Sequence, residues 1–140
     1  MDGLATTRHN EKQFATCSHD HTIKIWDGTK MKCLNTYKRA HDGGVWSLMY
    51  DRPTGTKFIS ASPDSHAKIW DVKSGKAVLT FSGHTHYCYK AVFDNDAEHI
   101  ATVGADKTMN YWDIRSNKAP IFKMEDSPSC LMGVDFMPND

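Results

Sequence analysis

Short runs in which apolar and polar residues alternate make up most of this chain, separated by turns rich in Gly, Asp, Ser and Pro. Residues 14–18 alternate as a strand, His19-Asp20-His21 reads as a tight turn, and residues 22–26 alternate again with β-branched residues at the inward positions. Gly28-Thr29-Lys30 then turns into a further strand over residues 33–37, and the polar stretch 38–44 crosses to a strand over residues 45–50. A loop with Pro53 and Gly55 follows, and the pattern starts again. Ser74-Gly75 marks a hairpin into residues 77–81, and later strands are expected at 87–93, 100–103, 108–112, 120–124 and 130–136. The first such strand would end at Leu4-Ala5-Thr6, before the polar turn Arg8-His9-Asn10-Glu11. The pattern predicts an all-β chain without amphipathic helices.

One fourteen-residue pattern occurs three times: FATCSHDHTIKIWD at 14–27, FISASPDSHAKIWD at 58–71 and IATVGADKTMNYWD at 100–113. Thr16-Asp20-Trp26, Ser60-Asp64-Trp70 and Thr102-Asp106-Trp112 take matching places, and the tryptophans stand 44 and 42 residues apart. A period in the forties closing on Trp-Asp is the signature of a propeller repeat.

Composition narrows the function without choosing it. Seventeen basic residues balance seventeen acidic ones, so no nucleic-acid partner is expected, and the longest apolar runs fall far short of a spanning helix, so no membrane insertion is expected. The first ten residues have neither the apolar core nor the cationic lead of a signal peptide. Cys17, Cys33, Cys88 and Cys130 show no C-x-x-C spacing, which suits reduced, mostly buried thiols in a cytoplasmic or nuclear protein.

With Gly83-His84, the three turn aspartates and the pairs Trp26-Asp27, Trp70-Asp71 and Trp112-Asp113, the chain resembles the WD-repeat β-propellers over nearly its whole length. The resemblance implies a propeller arc of three four-stranded antiparallel blades plus the first strand of a fourth. The expected divisions are 1–37 (blade one, inner strand truncated), 38–81, 82–124 and 125–140. It also implies a buried hydrogen-bonded set in each blade: His41, Ser60, Asp64 and Trp70 in one, His84, Thr102, Asp106 and Trp112 in the next. The first blade has Thr16, Asp20 and Trp26 without a histidine, and in the fourth unit Ser127 stands where the histidine would be. A Ser-His-Asp trio invites a hydrolase reading. Its recurrence once per blade, beside a tryptophan that needs an acceptor, argues for a structural role and no catalytic residue.

Propellers close with four to eight blades. An open arc would leave an apolar face at each end, on the order of 500 Å² and about 12 kcal/mol of burial apiece. The expectation is therefore a piece of a longer, seven-bladed chain, whose remaining blades close the ring; a second copy closing it is the alternative.

Paired histidines at 19 and 21 and at 84 and 86 raise a zinc site, but His84 and Asp20 already have blade roles, so no metal and no cofactor are expected. Dinucleotide, P-loop and zinc-protease motifs do not occur. Binding remains, and the expected function is a non-catalytic interaction scaffold within a multiprotein complex. Aligning the inner strands puts Trp46, Tyr89 and Met132 at one position, 43 residues apart, with Asp2 as the counterpart in the first unit. The resemblance places this position at the channel mouth on the narrow face, where a protein or peptide partner docks, flanked by the turn residues His19, Pro63 and Ala105. The competing possibility is that Trp46 and Tyr89 pack between blades.

Two more specific alternatives stand beside this one. The stretch 100–115 resembles the box by which substrate receptors of cullin-4 ubiquitin ligases dock on their adaptor through an arginine, here Arg115, although Val103 and Tyr111 depart from its preferences. HAKIWDVKSG followed by TFSGH resembles a heterotrimeric G-protein β-type subunit.

Overall fold

A computed structural model describes residues 12–116 and 118–137, together with the backbone of 3–6. Its strands form three antiparallel four-stranded sheets in simple sequence order. The first contains β1 (Gly3–Thr6), β2 (Gln13–Cys17), β3 (Ile23–Asp27) and β4 (Lys32–Tyr37). The second contains β5 (Ser47–Tyr50), β6 (Lys57–Ala61), β7 (His66–Asp71) and β8 (Lys76–Ser82), and the third β9 (Cys88–Phe93), β10 (His99–Gly104), β11 (Met109–Asp113) and β12 (Phe122–Met124). The inner strands β1, β5 and β9 lie side by side, so the sheets stack as successive blades. The expected turn 8–11 and Asp2 lie outside the described residues.

The second blade buries both faces, and this explains where the core lies. On β6, Phe58 and Ile59 point to opposite sides, as strand geometry requires. Phe58 joins a cluster with Ile23, Ile25, Tyr37, Tyr50 and Trp70 between the first two blades. Ile59 joins Ile69, Phe81, Phe93, Ile100 and Trp112 between the second and third. The hydrophobic core is thus a pair of seams between sheets. The outer strands β4 and β8 are largely exposed, and Lys32 and Lys76 begin them, a charge placement that discourages pairing with a stray strand.

The turns joining the second and third strands of each blade repeat one device. Asp20, Asp64 and Asp106 each accept, through Oδ1, the backbone N–H two residues on (Thr22, His66 and Thr108, at 2.9, 3.0 and 3.1 Å). The residue between has positive φ: His21 at 68°, Ser65 at 70° and Lys107 at 66°. An aspartate that bonds its own backbone two residues on stabilises such a turn without glycine. That explains how HDHT, PDSH and ADKT make the same bend.

One expected strand differs. Residues 130–136 form no β-ladder, because the strand that would pair with them is not present among the described residues. The segment nevertheless follows the course of an inner strand. Val45 N–H donates to Ser18 O at 3.0 Å and Cys88 N–H to Ser62 O at 3.1 Å, each onto the preceding blade; Leu131 N–H donates to Gly104 O at 3.2 Å in the same way. Further along, Asn95 Nδ2 donates to Met137 O at 2.9 Å. Cys130, expected among buried thiols, is exposed for the same reason, whereas Cys17 and Cys88 are buried. The third blade's outer strand starts at Phe122 rather than at Pro120, and a short 3-10 turn, Ile114–Ser116, follows β11.

Candidate functional site

The polar sets of the second and third blades are assembled from four elements each. His41, in the crossing before β5, places Nε2 2.7 Å from Ser60 Oγ on β6 and Nδ1 2.8 Å from Asp64 Oδ2 in the turn. Trp70 on β7 donates its indole N–H to the same Ser60 oxygen at 2.8 Å. With the indole donating to Ser60, the hydroxyl proton is free to go to His41 Nε2, which puts the imidazole proton on Nδ1, facing the carboxylate. In the third blade Trp112 donates to Thr102 Oγ1 at 3.0 Å, His84 Nε2 lies 2.9 Å from that oxygen, and Nδ1 lies 3.0 Å from Asp106. Asp42 N–H and Thr85 N–H complete the carboxylates at 3.1 and 3.0 Å.

The electrostatics follow from burial. Burial holds His41 below its ordinary pKa, so the imidazole is neutral, and Asp64 helps to counter this. Burial pushes the Asp64 and Asp106 carboxyls up, but the histidine hydrogen bonds and backbone N–H groups outweigh it and hold both below the usual carboxylate range. Ser60 is fully buried and already accepts the Trp70 N–H. Its hydroxyl therefore has no approach for a substrate carbonyl. Burial likewise pushes the Cys88 thiol up, away from thiolate reactivity.

In the first blade Trp26 donates to Thr16 Oγ1 at 2.9 Å, and Asp20 accepts from the Thr22 N–H and hydroxyl through Oδ1. Ser127, at the histidine place of the next unit, bonds Ser129 O at 2.7 Å.

The face that carries the aspartate turns also carries an aromatic cluster spanning three blades. Trp46 immediately precedes β5, with its N–H on Ala61 O at 2.9 Å, next to the β6–β7 turn. Its ring stacks on Tyr89 (centroids 5.4 Å, 14° between planes), meets Tyr87 edge-on at 5.6 Å and meets His19 edge-on at 6.2 Å. His86 continues the cluster onto Tyr87 at 4.2 Å. Trp46 and Tyr89 are half-buried, so they pack between blades and also reach the surface, while Tyr87 is 43% exposed. Sequence alignment of the inner strands singles out Trp46 and Tyr89 and passes over Tyr87, although it stands two residues before Tyr89 and so points to the same side of the strand. Pro63 and Ala105 sit half-buried beside the cluster, Ala105 donating its N–H to Tyr87 O at 2.9 Å. Met132 follows Leu131 at the same end and is 74% exposed. Arg115 lies at the other end of the third blade, where its guanidinium bonds Glu98 Oε1 at 2.6 Å.

Comparison with known proteins agrees with this architecture. The profile described as WD domain, G-beta repeat matches residues 5–27, 31–71 and 75–113. The chain is 36% identical over 121 residues to "Ribosome biogenesis protein WDR12 homolog" of Culex quinquefasciatus, covering 82% of this chain and 27% of that protein. It is 22% identical over 137 residues to "E3 ubiquitin-protein ligase COP1" of Arabidopsis thaliana, covering 98% of this chain and 20% of that protein. With "Nuclear distribution protein PAC1" of Arthroderma otae the identity is 33% over 108 residues, 71% of this chain and 23% of that one. The chain thus spans about a quarter of the length of the curated relatives it matches. Three matched repeats, three sheets in sequence order and a shared turn chemistry place the chain in the WD-repeat family.

Proposed function

We propose that this chain is a non-catalytic interaction scaffold that receives a protein or peptide partner on its turn face, around Trp46, Tyr87, Tyr89, His19, Pro63 and Ala105, with Met132 extending the same surface. The observation that carries this reading is the aromatic cluster joining three blades on one face, with Tyr87 left open. Aromatic side chains held rigidly by their neighbours are what interface anchors use, because they bury much area at little cost in side-chain entropy. The His-Ser-Asp-Trp sets then belong to the blades rather than to a reaction, an assignment supported by the burial of Ser60 and His41. No cofactor enters this role.

The partner belongs to a multiprotein complex in the cytoplasm or nucleus. The ribosome-biogenesis relatives, two of which reach 36% identity over 82% and 79% of this chain, make an assembly of that kind the first to examine. Remaining blades of a longer chain, or a second copy, would close the ring. A photo-crosslinking amino acid at Tyr87 tests the reading when its products are compared with those from the same group at Lys76, on an outer strand. Partners captured at Tyr87 and not at Lys76 are expected; equal yields at both would contradict the site.

A further inference from the structure

Between the second and third blades, at the end away from the aspartate turns, lies a cavity of about 250 Å³. Its floor is Ile69 and Leu79 of the second blade with Phe93 and Ile114 of the third, and its lining runs out to the exposed Lys57, Val78 and Asp96, so it opens to solvent. Every lining residue falls between 51 and 114, within two blades whose four strands are all described.

The matching places at the first seam explain why the second is left open. Tyr37 and Phe81 hold the same register position one blade apart, and so do Tyr50 and Phe93. At the first seam the Tyr37 hydroxyl reaches the next blade and donates to Val72 O at 3.4 Å. The hairpin after β7 also lies close against that seam, where a Cβ on Gly75 would fall 3.1 Å from Asn35 Nδ2. At the second seam Phe81 and Phe93 have no hydroxyl to extend across, and the 3-10 turn Ile114–Ser116 stands in place of the hairpin. Leu79, in the register position of Asn35, then lines the cavity instead of being covered.

The shape and charge of the groove select an occupant. Its volume is below the roughly 300–1,000 Å³ of pockets that hold a whole small ligand, and it suits one large apolar side chain. Val78 forms a bulge between the Ile69–Leu79 and Trp70–Ala77 pairs, and Lys76 precedes it, so the edge of β8 is a poor template for an added strand. The two walls differ in sign. Asp51 has both oxygens engaged by Thr54 and by the Lys57 N–H, and Glu98, near the other wall, is paired with Arg115. Lys57 on the second blade and Asp96 on the third are exposed and in no ion pair among the described residues, one on each side of the apolar floor.

We propose that this groove is a docking site for a linear segment of a protein partner that carries one large apolar side chain between an acidic and a basic residue. The apolar side chain fills the cavity, the acidic residue faces Lys57 and the basic one faces Asp96, which sets the direction in which the segment crosses the groove. The site lies at the opposite ends of the strands from the Trp46–Tyr87 face and does not depend on it.

The probe is the synthetic peptide acetyl-SDEGFGKKS-amide, titrated to millimolar concentration into the intact chain while the isoleucine δ1-methyl resonances are followed. Saturable shifts at Ile69 and Ile114, with Ile23 and Ile25 of the first seam unmoved, are expected. The same peptide with glycine in place of phenylalanine should bind about tenfold more weakly. Lys57→Glu and Asp96→Lys, changes at exposed residues, should each weaken the parent peptide about threefold, whereas Lys30→Glu, at an exposed lysine of the first blade, should not. No shift at Ile69 and Ile114, equal binding of the glycine-substituted peptide, or equal effects of Lys57→Glu and Lys30→Glu would overturn the proposal.

Discussion

Replacing Asp64 by alanine separates the cost of breaking a complete set from that of changing the same turn position elsewhere. In the second blade the carboxylate accepts three hydrogen bonds: from His41 Nδ1 at 2.8 Å, Asp42 N–H at 3.1 Å and His66 N–H at 3.0 Å. The two backbone donors lie near solvent and can turn to water; the His41 imidazole, 1% exposed, cannot. A buried donor left without its charged partner costs about 1–3 kcal/mol, so we expect about 2 kcal/mol for Asp64→Ala. For a domain of this size that lowers the melting temperature by roughly 5–10 °C. Asp20 occupies the same turn position, is exposed and meets no histidine among the described residues, so Asp20→Ala should lower melting much less than Asp64→Ala. Circular dichroism melts of both variants, with matched transitions at two wavelengths, measure the difference. Equal shifts for the two variants would refute the claim that the histidine contact carries the stabilisation.

Acid should unfold the chain in two stages. His41 is held below its ordinary 6.5, so the folded state resists a proton that the unfolded chain accepts, and stability falls as pH drops below about 6.5. Asp64 and Asp106 are held below 3.8; their contribution is complete above that value and is lost as pH falls through their depressed folded values. Urea titrations at pH 7, 5.5 and 3.5 should show both steps, and His41→Gln should remove the first. Gly83→Ala should destabilise measurably because its Cβ would meet Trp112, whereas Gly133→Ala, with nothing within 4 Å, should be neutral in the same melts. Sedimentation over a range of concentrations should show self-association of the isolated chain, since Trp26 at one end and Ile121 and Phe122 at the other leave apolar surface open; a strictly monomeric species would count against it.

Much of the fold is written in local signals. The Asp turns need only the side chain's own backbone two residues on, and the alternation of Ile23-Lys24-Ile25 needs only the pleat, so both are readable from short stretches. The spacing of Ser60, Asp64 and Trp70 is local in the same sense, and the structure holds them with His41 at hydrogen-bond distance. What sequence left unread depends on a neighbour. Residues 130–136 have a strand's composition, but a ladder also requires a partner strand. The exposure of Tyr87 is set by the packing of Trp46 and Ala105 around it, and Tyr37 and Phe81 act on the following blade, so none of these roles is written in a local stretch. Trp46 and Tyr89, expected either at the channel mouth or between blades, stack on each other across neighbouring blades and are half-buried.

The central claim is a division of labour, in which buried polar sets hold the blades and the aromatic turn face meets the partner. It is tested most directly by measuring melting temperature and partner recovery together for Tyr87→Ala and Asp64→Ala. The account predicts that Tyr87→Ala keeps the parent's melting temperature and loses the partner captured at that face, while Asp64→Ala lowers the melting temperature. Retention of the partner by Tyr87→Ala, or an Asp64→Ala protein that melts like the parent and yet loses the partner, would contradict it.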